Sequence, residues 1–349
     1  MKQLRIQLTP PEPYFLGGER IFEIGDGNKH YYIRSLLSPS QTTLFGILRY
    51  LGIVKPNRQM QFDPDNIGPH SYRLDTQDGS YGRIINISPL YLMDDQGAYY
   101  VKTPFDHIPG NFEEDEKEYE PFSEYVTDAE PVGAGGVQKR YPSQYNAKHE
   151  LADSWMCISQ GEKYKKTYKN KNKKKNLFES DNRVGIDKQK TEKAFVKKEY
   201  SLLKRGFSFV FFANVEDDFQ YAEERFVEPG FYARVTEDAE PTFPADVLRN
   251  DILYAQSDIF ISSEDAQKLY SLCEFVCVDT KSFRGRVTNV KAQTLRERFK
   301  RYDRILTLIQ AGSVFKVGSD NLDAAKDLLG QNKQAIIAGF NKIISGGNI

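Results

Sequence analysis

The sequence runs to 349 residues, of which 28% are charged and 39% hydrophobic, with a formal net charge of −1. Such a chain has room for two domains and a substantial core, and this balance excludes a disordered chain. No apolar run reaches membrane-spanning length, and Cys157, Cys273 and Cys277 are too few for a disulfide framework.

Residues 3–8 alternate like a strand and lack the continuous apolar segment of a signal peptide, so a cytoplasmic protein is expected. Residues 21–24 and 31–33 bracket Gly25-Asp26-Gly27-Asn28 and predict a hairpin. From Thr42, the residues Leu44, Phe45, Ile47, Leu48 and Leu51 share one helical face. Ser40 or Thr42 suits the start and Gly52 the end. Gly46 interrupts that helix, which is a mark of close backbone packing or a tolerated weakness. Residues 53 to about 180 hold nine prolines, an acidic run (113–118) and a lysine run (163–175), and read as a loop-rich insertion with short strands at 84–87 and 99–101.

The stretch from 182–187 through 191–200 to 206–212 reads as two strands joined by a polar turn, their apolar positions toward a core and Arg183, Lys188, Lys190, Lys197, Lys198 and Arg205 toward solvent. A strand is expected at 231–235. A helix capped by Ser262 or Ser263 follows, with Cys273 and Cys277 in a helix-like stretch as small buried groups and a short strand at 275–278. Residues 293–309 suit a basic amphipathic helix. The tail reads strand (313–317), helix (322–329) and strand (335–338), closing on a glycine-bearing segment, 339–347. The alternation favours an α+β fold of two βαββαβ, ferredoxin-like (RRM-like) modules in tandem. We expect one domain over 1–225, with the insertion around 53–180 inside it, and a second over 226–349.

No set of residues has the spacing of a catalytic centre. His30, His70, His107 and His149 make no metal-ligand pattern, and residues 133–140 lack the Gly-Lys-Ser/Thr of a phosphate loop. No metal and no cofactor are therefore expected. Two segments can meet an anion. Arg34 precedes Ser40, Thr42 and Thr43 at a helix N-terminus, where hydroxyls and amide dipoles favour negative charge, although plain capping explains the same residues. The closing segment allows close backbone approach, with Lys342 supplying charge, and a frayed tail explains it equally well.

These stretches resemble one family. Arg34-Ser35-Leu36-Leu37 with residues 40–49 is similar to the first-helix signature of the RAMP superfamily of CRISPR proteins. Arg183-Val184-Gly185-Ile186-Asp187 with Thr191 and Ala194 is similar to its central strand, and residues 311–315 and Gly339-Phe340-Asn341 to its last strands and glycine-rich loop. In order and spacing they most resemble the Cas5-like subunit three of the Cmr (type III-B) effector complex. The resemblance implies two ferredoxin-like domains and a non-catalytic role in antiviral defence. It implies binding of the single-stranded 5′ handle of the CRISPR RNA, with the large Cas10-type subunit and the first backbone RAMP subunit as partners, and no membrane. Carried onto this sequence, the RNA contacts are Arg34, Ser40, Thr42, Thr43 and Arg49, and then Arg183, Gly339, Lys342 and Gly346. The alternative is a metal-independent endoribonuclease of the same superfamily, with His30 activating a ribose hydroxyl.

Overall fold

A computed structural model describes residues 1–17, 20–22, 30–53, 63–75, 79–109, 119–121, 154–159, 167–169, 177–187, 194–228, 230–243, 248, 251–288, 299–301 and 304–345. In chain order, β1 (Lys2–Thr9), β2 (Arg20–Phe22) and β3 (His30–Arg34) lead to α1 (Gln41–Leu51) and α2 (Pro64–Ile67). Then come β4 (Ile84–Ile87), β5 (Tyr91–Asp94), β6 (Tyr99–Lys102), β7 (His107–Pro109), β8 (Tyr119–Pro121), β9 (Ser154–Cys157) and β10 (Thr167–Lys169). The long strands β11 (Phe178–Asp187), β12 (Ala194–Leu203) and β13 (Phe207–Val215) precede β14 (Glu224–Val227) and β15 (Phe231–Glu237). The remainder holds β16 (Ile252–Ala255), α3 (Ser263–Ser271), β17 (Cys273–Cys277), β18 (Thr280–Phe283), β19 (Arg286–Thr288), β20 (Phe299–Arg301), β21 (Leu306–Ile309), β22 (Val314–Val317), α4 (Leu322–Gly330), α5 (Lys333–Ile337) and β23 (Ile343–Ser345).

The main sheet runs β10-β9-β6-β5-β13-β1-β15-β14, with β4 also on β13. Its centre follows from sequence pattern. β1 alternates, burying Leu4, Ile6 and Leu8. β13 is apolar almost throughout because both of its faces are covered. Phe209, Phe211 and Ala213 join Leu44, Phe45, Leu48 and Leu51 of α1 in one core, while Val210 and Phe212 join Ile252, Tyr254, Phe275 and Val314 in another. That second core lies between the main sheet and the four-stranded sheet β17-β22-β16-β23, all antiparallel. On the far side of this sheet Leu253, Val276 and Phe315 pack with Leu269 of α3 and Ala325 and Leu329 of α4. The order is thus α1, sheet, sheet, helices, a mixed α/β architecture dominated by strands.

Several expectations change. The boundary at 225 falls inside β14, and β15 pairs with β1, so the first sheet extends past residue 226. The presumed insertion supplies β4, β5, β6, β9 and β10 to that same sheet. Cys273 and Cys277 lie on strand β17 rather than in a helix, and burial pushes the Cys273 thiol up to about 12. Residues 299–301 and 306–309 are strands, because Leu306 and Leu308 recur every second residue and pair with β18. Residues 289–298 and 302–303 lie outside the described set. The final expected strand, 335–338, falls on helix α5 and its cap, with Asn332 accepting from the Ala335 amide.

Gly46 is exposed on α1, and a Cβ there would meet nothing within 4 Å. Close packing is not its purpose. Gly46→Ala is expected to stabilise the protein by about 0.5–1 kcal/mol, the helix-propensity difference, read as a raised midpoint in chemical denaturation.

Candidate nucleic-acid interface

Strands β11-β12-β3-β2 form a separate sheet in which β3 lies parallel to β12. Its root is buried at Phe178 and Leu203, which pair across the hairpin. Six pairs further out Val184 is 68% exposed, so the β11–β12 hairpin projects as an arm. The apolar residues expected to face a core do so over 207–212 on β13, whereas Val184 on the arm does not, and the side chains of Ile186, Phe195 and Val196 lie outside the described set. The register sets Arg183 opposite Lys198 and Lys198 beside Ile33, whereas Arg34 lies beside Glu199. Because side chains alternate across a strand, Arg34 and Arg183 occupy opposite faces of the arm.

Each face is built alike. On one, Arg183 lies over the Tyr200 ring (4.5 Å to the centroid), Lys198 over Phe15 (5.7 Å), and the two rings are 5.4 Å apart. On the other, Lys197 and Arg34 both lie over Tyr32, at 5.3 and 5.7 Å. Arg183 also donates from Nε to Asp181 (2.8 Å), an exposed pair worth little. Arg34 donates from Nε to Glu199 (3.2 Å), whose carboxyl is pushed up by its own partial burial. The tyrosines escaped the sequence reading, although Lys198 and Tyr200, two residues apart on β12, put a cation and a ring on one face.

The α1 N-terminus adjoins the base of this arm in the chain. Ser40 is the N-cap residue, but its hydroxyl makes no cap bond to the backbone. It sits 3.0 Å from the hydroxyls of both Thr42 and Thr43. The Thr43 amide donates to Ser40 O (2.9 Å), so the earlier Gln41 and Thr42 amides are the first-turn donors without an intrahelical acceptor, and with the hydroxyls they form a small donor cluster. Gln41 is buried and joins this end of α1 to the last part of the chain. Its Nε2 donates to Ser88 O (3.1 Å) and Ala338 O (3.2 Å).

Gly339 completes the junction. Its N–H donates to Ile336 O and the Phe340 N–H donates to Ala335 O, closing α5 in a Schellman turn with Gly339 at φ +78°. A Cβ on Gly339 would lie 2.2 Å from Gln41 Nε2 and 2.6 Å from Ser88 O. Its glycine is therefore explained by packing within the chain. Asn341 follows at φ +59°, donating to Phe260 O and Leu329 O and accepting from Phe260 N. Lys342 is exposed beside it, its ammonium making no ion pair among the described residues.

The remaining candidates divide. Arg49 turns inward: its guanidinium donates to Ile67 O (2.8 Å) and Gly68 O (3.1 Å), and burial lowers its pKa. Gly346 lies outside the described residues, as does the lysine run except 167–169. On β3 the backbone of His30 pairs with Phe195 of β12, and the His30 side chain is outside the described set. Among the described residues no three His, Cys, Asp or Glu side chains are grouped to hold a metal ion. None of the helices among them is long and apolar enough to cross a membrane.

The family model described as CRISPR-associated protein (Cas_Cmr3) matches residues 6–232, more than half of the sequence, and the chain belongs to that family. A chain in a structure titled "Cryo-EM structure of the Type III-B Cmr-beta bound to cognate target RNA" shares the fold at TM-score 0.50 and 15% identity, covering 99% of this chain and 96% of that one. A second state of that assembly, bound to cognate target RNA and AMPPnP, gives TM-score 0.48 and 14% identity over 99% and 96% of the two chains. A chain of the Csm3–Csm4 subcomplex of the type III-A interference complex gives 0.34 and 10% over 91% and 93%. No curated protein matches the sequence.

Proposed function

We propose that this chain is a non-catalytic subunit of a type III-B CRISPR effector complex. It grips the single-stranded 5′ handle of the CRISPR RNA and bridges the large Cas10-type subunit to the first backbone subunit. Family membership supports the assignment to the complex. The observation that carries the RNA reading is the Gln41 junction, which brings the α1 donor cluster and the segment bearing Lys342 against each other at the base of a basic, aromatic arm. Phosphates fit the hydroxyls, amides and cations, and unpaired bases fit the tyrosine faces. Arg34, Ser40, Thr42, Thr43 and Lys342 are the contacts on this reading. Arg183 serves the other face of the arm, and Arg49 and Gly339 hold the platform in shape.

Two ferredoxin-like halves agree with the strand orders. Ranked by sequence, β5-β13-β1-β15 and β17-β22-β16-β23 follow the same 2-3-1-4 pattern, the order of a βαββαβ unit. The first half has α1 after its first strand and no helix before β15, where residues 216–223 run as a described loop.

Arg34 and Glu199 give the test. Arg34→Ala removes one phosphate contact, and handle binding should weaken with a log–log salt slope flatter by about 0.7. Glu199→Gln releases Arg34 from its ion pair, and the same titration should show severalfold tighter binding. Identical affinities and slopes for the three proteins would remove Arg34 from the interface.

A further inference from the structure

The far edge of the main sheet carries a surface that the handle site does not use. β14 is its last strand, and its register with β15 sets Phe226 directly beside Tyr232. Both rings face out, 57% and 41% exposed, on the part of the sheet that the second sheet leaves open. An exposed aromatic pair on a sheet edge is a costly arrangement for a chain that stays alone.

The charge around it argues what covers it. Residues 223–238 contain Glu223, Glu224, Glu228, Glu237 and Asp238, all exposed, against Arg225 and Arg234. Both arginines are committed. Arg225 donates to Tyr50 O, and Arg234 pairs with Glu224, which also accepts from the Tyr232 hydroxyl. A phosphate backbone would be repelled from this acidic edge, while a lysine or arginine can lie over a ring and pair with a flanking carboxylate. The described part of the lysine run, strand β10, is the opposite edge of the sheet, seven strand spacings or roughly 34 Å away.

We propose that the Phe226–Tyr232 pair and its acidic rim are a docking surface for a basic face of a neighbouring protein subunit. The inference rests on the assembly reading above. Its partner is a polypeptide rich in lysine or arginine, whose cations stack on the two rings while Glu228 supplies the counter-charge.

The experiment compares the full chain alone with the chain in the assembled complex by hydroxyl-radical footprinting. Phe226 and Tyr232 should be oxidised in the free chain and at least fivefold protected after assembly. Phe226→Ala/Tyr232→Ala and Glu228→Lys, each with an unchanged melting temperature, should lower recovery of one companion subunit at least tenfold while the handle RNA still binds. Equal oxidation in both states, or full recovery with the variants, overturns the proposal. So does an RNA crosslink at Tyr232, or protection that persists in a self-associated sample of this chain without companions. If the tagged wild-type chain brings down neither RNA nor companions, the assembly reading fails first and takes this inference with it. Companions recovered with these residues unprotected would refute the docking surface alone.

Discussion

Gly339→Ala is expected to destabilise the protein by about 3 kcal/mol, read from the midpoint of chemical denaturation. Two effects add. A side chain at φ +78° in this turn costs roughly 1–2 kcal/mol. The new Cβ would also lie 2.2 Å from Gln41 Nε2 and 2.6 Å from the Ser88 carbonyl, and the second of these is backbone that cannot swing aside. Overpacking of that kind costs roughly 1–3 kcal/mol. Because the strain falls on Gln41, the first turn of α1 should shift and handle binding should weaken with the loss of stability. In a Gln41→Ala background the same substitution should cost less, since one of the two contacts is gone. A cost below about 0.5 kcal/mol in the wild-type background would show that the junction is looser than described.

Asn341→Ala should cost a similar amount, about 3–4 kcal/mol. The buried carboxamide makes three hydrogen bonds: to Phe260 O (3.0 Å), to Leu329 O (2.9 Å) and from Phe260 N (2.7 Å). Their loss leaves buried backbone groups without partners, and alanine adds strain at φ +59°, where asparagine is tolerated. Asn341→Gly relieves the backbone but not the bonds, so it should recover only about 1 kcal/mol of the loss. A full recovery by glycine would mean that the bonds contribute little and that conformation alone explains the asparagine. Since Leu329 ends α4 and Phe260 precedes α3, either variant should loosen the second sheet's helices from the closing segment.

The parts of the fold that the sequence made legible are those with one dominant local pattern. The alternation of β1, the apolar stripe of α1 and the antiparallel pairing of β2 with β3 appear where periodicity put them. Failures came where pairing outweighed pattern. The basic stretch that ends at 309 has helical spacing, but 306–309 is drawn into a ribbon with β18. The short closing element near 335 is too brief for its period to speak, and its Asn332 cap was the better signal. Among the candidate contacts, Ser40, Thr42 and Thr43 do gather into one cluster. A cation on a helix such as Arg49 reads as solvent-facing, and only the path of residues 67–68 reveals the carbonyls that hold it. No local pattern signals Gln41, whose role comes from residues 47 and 297 positions away.

Ultraviolet crosslinking of the assembled complex, with mass spectrometry of the peptides joined to the first nucleotides of the CRISPR RNA, tests the central claim most directly. Crosslinks should fall on residues 34–43 and 339–345 of this chain, with further ones at Tyr32 or Tyr200 on the arm. Handle nucleotides crosslinked only to other subunits, or to this chain only at the β14–β15 edge, would contradict the account.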